Sequence, residues 1–201
     1  ISTLVLGIEE PELYQHPPQA KHLAQVLQQL SDGNAQVLAA THSPYFVSGR
    51  GFENVRAIRR NVADQAYSCA AVYQQLADRE AEIVGKAPQP PKGLRARLDT
   101  TLQPALSEML FTDKLVLVEG IEDQVVLTTW IYATGLEKEF RRRGVSIVPV
   151  NGKSDLLRCC LLAEAMEIPT FLMFDGDSNC KEGAREDHKA LNNALFKWAG
   201  E

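Results

Sequence analysis

The sequence predicts an α/β protein in which parallel strands alternate with helices. Short apolar runs end in acidic residues or glycine, as at Lys114–Val118, which is followed by Glu119-Gly120. Such bounded apolar runs are typical of buried parallel strands. Apolar helical stretches follow the runs, and a proline- and glycine-rich segment at Gly85–Gly93 separates two groups of elements. We therefore expect an amino-terminal unit over residues 1–84, a linker and connecting helix over 85–112, and a second unit over 113–201.

The first unit opens with an apolar strand over Leu4–Ile8 that ends in Glu9-Glu10-Pro11-Glu12. The residues from Pro17 to Leu30 carry apolar side chains at three- and four-residue spacing, which predicts an amphipathic helix. The next apolar run, Gln36–Thr41, predicts a strand that delivers His42 at its carboxyl end. Strand, acids, helix, strand and histidine therefore follow one another in this order.

The remainder of the first unit and the linker have weaker patterns. Val55–Arg60 predicts an edge strand, and the mixed pattern from Asp64 to Val84 predicts a helix. After the linker, Leu98–Leu110 predicts a helix that is kinked at Pro104.

The second unit repeats the alternation of strands and helices. After the Lys114–Val118 strand and a helix over Val125–Thr134, a middle strand is predicted at Val145–Val150, followed by Asn151-Gly152-Lys153-Ser154. A helix then precedes the apolar run Thr170–Phe174, which ends in Asp175-Gly176-Asp177. A β-α-β-α-β order predicts a parallel sheet with right-handed crossovers.

Acidic side chains follow two of these predicted strands, where ligands collect in open parallel sheets. Glu119 and Asp175 close their strands, Asp123 lies in the first helical turn, and Gly176 lets the chain turn so that Asp177 faces the same point. Several carboxylates at one edge suit Mg²⁺ or Mn²⁺. The alternative is that these acids only cap the helices that follow. Lys153 either faces the same crevice or is a solvated loop lysine.

These motifs resemble a known family. Glu119-Gly120 after one strand and Asp175-x-Asp177 after a later one resemble a TOPRIM domain, and an Asp four residues after the Glu resembles the OLD (overcoming lysogenization defect) family of ATP-dependent nucleases. Glu9-Glu10-Pro11-Glu12 resembles the Walker B motif of ABC-type ATPases, and Thr41-His42-Ser43-Pro44 resembles their histidine switch. The resemblance implies the second part of an ABC-type P-loop ATPase lobe followed by a TOPRIM domain, whose parallel sheet is flanked by helices.

The resemblance also implies roles for individual residues. Glu9 would help to hold Mg²⁺, Glu10 would polarise the water that attacks the γ-phosphate of ATP, and His42 would contact that phosphate. Lys153 would support the transition state of DNA cleavage. The implied metal ligands of a two-metal site for Mg²⁺ or Mn²⁺ are Glu119, Asp123, Asp175 and Asp177.

Two departures qualify these expectations. Glu9 stands where the family usually has an aspartate, which keeps the charge but lengthens the side chain. The phosphate-binding G-x-x-x-x-G-K-[ST] loop and the ABC signature are not among these residues. The opening of the chain inside an apolar run indicates a piece of a longer protein, and further metal-binding residues of the family would lie downstream.

Composition narrows the class of protein. The formal net charge is −5, and no run reaches the roughly 18 apolar residues that span a bilayer. The cysteines form no C-x-x-C pair and are too few for a disulfide framework, which indicates a reduced, cytoplasmic protein without a membrane partner. We expect an ATP-regulated DNA endonuclease in phage defence or DNA processing, a homodimer or larger homo-oligomer through the ATPase region, with a possible effector protein as partner. The alternative is a regulatory ATPase scaffold whose TOPRIM-like domain binds DNA or an effector without cutting.

Overall fold

The computed structural model describes residues 4–176 and 182–200. Its first elements are β1 (Leu4–Glu9), α1 (Pro17–Ser31), β2 (Ala35–Ala40), β3 (Ala57–Arg60), β4 (Ala66–Cys69) and α2 (Tyr73–Val84), with 3₁₀ turns at Pro44–Phe46 and Gly49–Asn54. The next are α3 (Pro91–Thr101), α4 (Pro104–Ser107), a 3₁₀ turn at Glu108–Phe111, β5 (Lys114–Val118), α5 (Ile121–Ala133), α6 (Glu137–Arg142), β6 (Val145–Pro149), α7 (Lys153–Ala165), β7 (Thr170–Met173) and α8 (Glu182–Ala199). The predicted α/β architecture with parallel sheets and flanking helices is confirmed.

The first sheet is a parallel pair of β1 and β2, in which Glu9 lies opposite Ala40 at the carboxyl ends. The connecting helix α1 begins with two prolines, which are tolerated there because the first turn has no use for their missing N–H groups. The helix contacts β2, and its buried residues are Ala20 and Leu27. This crossover brings the residues after β1 and those after β2 to the same edge.

An antiparallel hairpin follows, in which Ala57 pairs with Cys69 and Arg60 with Ala66. The prediction of one helix from Asp64 to Val84 is therefore wrong in its first part, which forms the strand β4. The helix α2 starts only at Tyr73. The reason lies in the turn, where the Asn61 side chain accepts hydrogen bonds from the backbone N–H groups of Ala63 and Gln65. Local side-chain hydrogen bonds of this kind compete with helix formation.

The segment between the two sheets is helical and buried. α3 starts at Pro91, inside the proline- and glycine-rich run, because proline fits the first turn of a helix. The chain breaks again before Pro104, where the single kinked helix expected over Leu98–Leu110 is replaced by α3, α4 and a 3₁₀ turn. The apolar side chains that this segment buries are Leu94, Leu98, Leu102, Leu106 and Met109.

The second sheet has the strand order β6-β5-β7, and both neighbours run parallel to the central strand. Because the two crossovers run in opposite directions across the sheet, the right-handed rule for parallel crossovers leads us to expect α5 and α7 on opposite faces. α7 packs on β5 and β7 and also against α8 and α2. The strand order makes β5 central, so that its carboxyl end lies between those of β6 and β7.

One core cluster joins the two parts of the chain. It includes Phe52 and Leu76 from the first part, Leu98 from α3, and Leu117 and Leu195 from the second part, each at most 5% exposed. None of the helices within residues 4–176 and 182–200 is long and apolar enough to cross a membrane.

Candidate active site

Two acidic residues meet at the carboxyl edge of the second sheet. Glu119 follows β5 directly, and Asp175 lies two residues after β7. The backbone N–H of Asp175 donates to the Glu119 Oε2 at 3.3 Å, and the Gly152 N–H donates to the Glu119 carbonyl at 3.2 Å. Residues after all three strands are thereby joined around Glu119. They border an open depression of about 680 Å³, which is lined by Glu119, Gly120, Ile121, Glu122, Asp123, Pro149, Val150, Asn151, Gly152 and Asp175.

Asp123 lines this depression from the first turn of α5 and also caps that helix. Its Oδ2 accepts a hydrogen bond from the Gly120 N–H at 2.9 Å. This bond satisfies one of the backbone donors that a helix leaves unpaired at its start. The two interpretations of Asp123, as a cap and as a residue of the acidic site, are therefore compatible in position.

Lys153 is buried, with 3% of its side chain exposed, at the first position of α7. Its Nζ lies 3.7 Å from the Glu119 Oε2 and donates to the Asp175 carbonyl. The ammonium also lies 5.6 Å from the centroid of the Phe174 ring, a cation–π arrangement. A buried ammonium is costly unless it is paired, and these contacts provide partners. The interpretation of Lys153 as a solvated loop residue is therefore wrong.

The backbone before Lys153 explains how the lysine reaches this position. Gly152 has φ +95°, a conformation in which a residue with a Cβ is strained. The turn at Gly152, three residues after the end of β6, starts α7, and the first residue of α7 contacts Glu119 beyond β5. The sequence contains a signal for this turn, because Asn151 and Gly152 follow the predicted strand Val145–Val150.

The oxygen chemistry of the site fits a divalent cation. Glu119, Asp123 and Asp175 offer carboxylates, the ligand type that Mg²⁺ and Mn²⁺ prefer. Within the described parts of the chain, no three His, Cys, Asp or Glu side chains are close enough together to hold a metal ion as they stand. Asp177, the fourth predicted ligand, lies outside the described residues. Glu122, three residues after Glu119, also lines the depression, but none of the hydrogen bonds described above for the acidic site involves it.

A second constellation lies at the carboxyl edge of the first sheet. Glu9 is the last residue of β1 and is exposed. Glu10 has a positive φ of 45°, and its N–H donates to the Ala40 carbonyl at 2.7 Å. The His42 Nε2 lies 3.8 Å from the Glu10 Oε1. The structure thus brings Glu10 and His42 together, while Glu9 adjoins them along the chain.

Glu12 connects the two motifs of this edge, a role that sequence reasoning missed. Its Oε1 accepts hydrogen bonds from the Thr41 hydroxyl at 2.7 Å and from the His42 N–H at 2.9 Å. Burial opposes ionisation of Glu12, but hydrogen bonds from Thr41 and nearby backbone groups, together with the charge of His42, lower its pKa below the ordinary value. The sequence feature that could have indicated this role is the acid at position 12, which follows Glu10-Pro11 in the same motif.

Comparisons with known proteins agree with this arrangement. Residues 110–177 match the family model described as "Overcoming lysogenization defect protein-like, TOPRIM domain", and residues 2–47 match an AAA ATPase domain. The chain is 28% identical over 171 residues to the OLD nuclease of Thermus scotoductus, which covers 85% of this chain and 30% of that protein. It is 26% identical over 176 residues to the Old nuclease of Escherichia phage P2, which covers 88% of this chain and 28% of that protein.

The chain therefore spans less than a third of the length of these curated relatives. Each of the two matched segments contains one of the constellations described above. The chain joins part of an AAA-type ATPase domain to an OLD-like TOPRIM domain and is a relative of the OLD nucleases.

Proposed function

We propose that the protein containing this chain is an ATP-regulated, divalent-metal-dependent DNA endonuclease. The observation that carries the proposal is the meeting of Glu119 and Asp175, from separate strands, around the buried Lys153. Acidic residues at the carboxyl edge of a parallel sheet, in a segment that matches a TOPRIM domain, suit hydrolysis of a phosphodiester. The names of the curated relatives, both called OLD nuclease, point to the same class of reaction.

In this proposal Glu119, Asp123, Asp175 and Asp177 hold Mg²⁺ or Mn²⁺. The chemistry that such ions supply when bound is a lower pKa of the attacking water and stabilisation of the leaving oxygen. Lys153 orients the site from inside, because it contacts both the Glu119 carboxylate and the Asp175 carbonyl. Its positive charge also offsets part of the repulsion between the acids and a DNA phosphate.

The first constellation supplies the regulation by ATP. Glu9 would help to hold the Mg²⁺ of the nucleotide, Glu10 would polarise the attacking water, and His42 would contact the γ-phosphate. The 3.8 Å separation of the His42 and Glu10 side chains supports a shared nucleotide site. We further propose a cytoplasmic homodimer or larger homo-oligomer that serves phage defence or DNA processing, with an effector protein as a possible partner. Size-exclusion chromatography with light scattering tests the oligomeric state.

Plasmid cleavage by the full-length protein with Mn²⁺ tests the nuclease proposal. The wild type should nick or linearise DNA, and Asp175→Ala should lower the rate by at least roughly 100-fold, because loss of a ligand exceeds the cost of losing a supporting residue. Asp78→Ala is the matched control, since Asp78 is an exposed carboxylate on α2. Equal cleavage by wild type and Asp175→Ala would contradict the assignment of the site.

A regulatory ATPase scaffold is the second candidate. It is favoured by the contacts that two of the acids already make within the protein. Asp123 caps α5, and Glu119 pairs with Lys153, so both carboxylates have structural partners. Such a scaffold would bind DNA or an effector through the TOPRIM domain without cutting. DNA binding by the wild type, without cleavage in Mg²⁺, Mn²⁺ or Co²⁺, would support the scaffold over the nuclease.

A further inference from the structure

We propose that Glu12 is a positioning residue that holds the His42 segment against Glu10 in the nucleotide site. This inference rests on the proposed ATP-hydrolysing role of the first constellation and adds a residue to it. Glu12 itself does not need to touch the nucleotide. It acts through the backbone of His42 and through the Thr41 side chain.

The contacts of Glu12 span 29 to 30 residues of sequence. Its Oε1 accepts from both the Thr41 hydroxyl and the His42 N–H, and the Thr41 oxygen in turn accepts from the Ser43 N–H at 2.9 Å. One carboxylate therefore organises three consecutive residues after β2. Hydrogen bonds to an ionised acceptor are stronger than those between neutral groups. The acid motif after β1 therefore helps to fix the segment that carries His42.

The turn that follows β1 holds the backbone of Glu10 in an unfavourable conformation. Its φ of 45° lies in the left-handed region, which costs a non-glycine residue energy and persists only where the surroundings enforce it. The Glu10 N–H bonds to Ala40 on one side, and the Leu13 N–H bonds to the Glu10 carbonyl on the other. Glu12, two residues later, adds the link to the end of β2. These bonds together keep the turn against the neighbouring strand.

The side chain of His42 is largely open to solvent, with 85% exposed, and that of Glu10 is 44% exposed. Because side-chain packing around His42 is sparse, the 3.8 Å separation of the two groups depends on where the backbone places His42. Loss of the Glu12 carboxylate releases the His42 backbone while the imidazole and the Glu10 carboxylate both remain. This gives Glu12 an effect that differs from that of removing either reactive group.

Amide hydrogen exchange of the full-length protein without nucleotide tests the contact directly. In Glu12→Ala, the peptide covering residues 41–46 should exchange roughly tenfold faster, because the His42 N–H loses a charged acceptor. Glu12→Gln keeps an acceptor oxygen and should restore most of the protection. Thr41→Val should loosen the segment partly, and Thr41→Ser should not. Unchanged exchange in both Glu12→Ala and Thr41→Val would overturn the proposal.

ATP turnover then tests the positioning role. Glu12→Ala should lower kcat roughly tenfold with KM for ATP changed less than about twofold, and Glu12→Gln should recover most of the rate. Glu53→Ala is the matched control, because the Glu53 carboxylate likewise accepts a backbone hydrogen bond, from the Tyr73 N–H at 2.8 Å, but lies outside both the acid motif and the histidine motif. It should leave turnover unchanged.

The outcomes separate this inference from the proposed function. A wild type that hydrolyses ATP together with a fully active Glu12→Ala variant overturns the positioning role alone. Equal losses in Glu53→Ala and Glu12→Ala overturn it as well, because the effect is then general destabilisation. A wild type without ATP turnover overturns the proposed function, and the exchange experiment still decides whether Glu12 holds His42. Should Glu12→Ala fail to fold, Thr41→Val compared with Thr41→Ser gives the same decision.

Discussion

Asp123 offers a prediction in which two roles of one carboxylate are separated by substitution. Its Oδ2 accepts the Gly120 N–H at 2.9 Å, and the same side chain lines the acidic depression. Asp123→Asn keeps an oxygen that accepts this hydrogen bond but removes the charge. Asp123→Ala removes both. The two variants therefore affect the helix and the proposed metal site differently.

The magnitudes follow from the cap and from the helix dipole. Loss of a capping oxygen costs about 1 kcal/mol, whereas loss of a negative charge in the first turn costs roughly 0.3–1 kcal/mol. Amides at the start of α5 should therefore exchange roughly 10- to 30-fold faster in Asp123→Ala, which loses both contributions, and roughly 2- to 5-fold faster in Asp123→Asn, which loses only the charge. DNA cleavage with Mn²⁺ should fall by at least roughly 100-fold in both variants, because both lack the charged ligand.

Glu122→Gln is the matched control, since Glu122 is the other acid of the same helical turn and lines the same depression. It removes one negative charge without touching the cap. Wild-type cleavage by Asp123→Asn would refute Asp123 as a ligand and leave it as a cap only. Equal loss of cleavage in Glu122→Gln would show that bulk charge, rather than ligation at Asp123, causes the effect.

Four further predictions follow. Lys153→Met keeps the bulk of the buried side chain but removes its ion pair, and urea unfolding should show a loss of roughly 1–3 kcal/mol together with reduced cleavage. Gly152→Ala should reduce stability by roughly 1–2 kcal/mol in the same assay, because a Cβ is strained at φ +95°. Burial raises the pKa of Cys159 to about 12 and raises that of Cys160 as well, so mass spectrometry should find both thiols unmodified by iodoacetamide at pH 8 until the protein unfolds. Hydrogen bonds from neighbouring arginines lower the pKa of Glu139 to about 2, so NMR of the folded protein should show its carboxylate titrating with a midpoint near pH 2 and keeping its arginine contacts at higher pH.

The strands and the edge they form were predictable because the sequence marks both. Apolar runs at Lys114–Val118 and Thr170–Phe174 identify two strands of the sheet, and the acids that follow them identify the carboxyl edge. Parallel pairing then requires Glu119 and Asp175 to approach each other, as the 3.3 Å contact shows. The local sequence pattern was sufficient here, because each strand has its own apolar run and its own acidic residue at the carboxyl end.

Other features depend on polar contacts that hydrophobic periodicity does not reveal. The hairpin of β3 and β4 replaced a predicted helix because the side chain of Asn61 satisfies the turn. The burial of Lys153 depends on Glu119 and Asp175, which lie far from it in sequence. Periodicity reports which face of an element is apolar, but it does not report which polar partners a fold will supply.

The packing of α3 has a consequence for the stability of the two parts of the chain. Its leucines belong to the same buried cluster as Phe52 and Leu117, and the Leu98 backbone leaves no room for a side chain at Gly49. The two parts therefore share one interior, to which this helix contributes from the segment that joins them. Cleavage of the chain within α3 would remove side chains from that interior and so destabilise both parts.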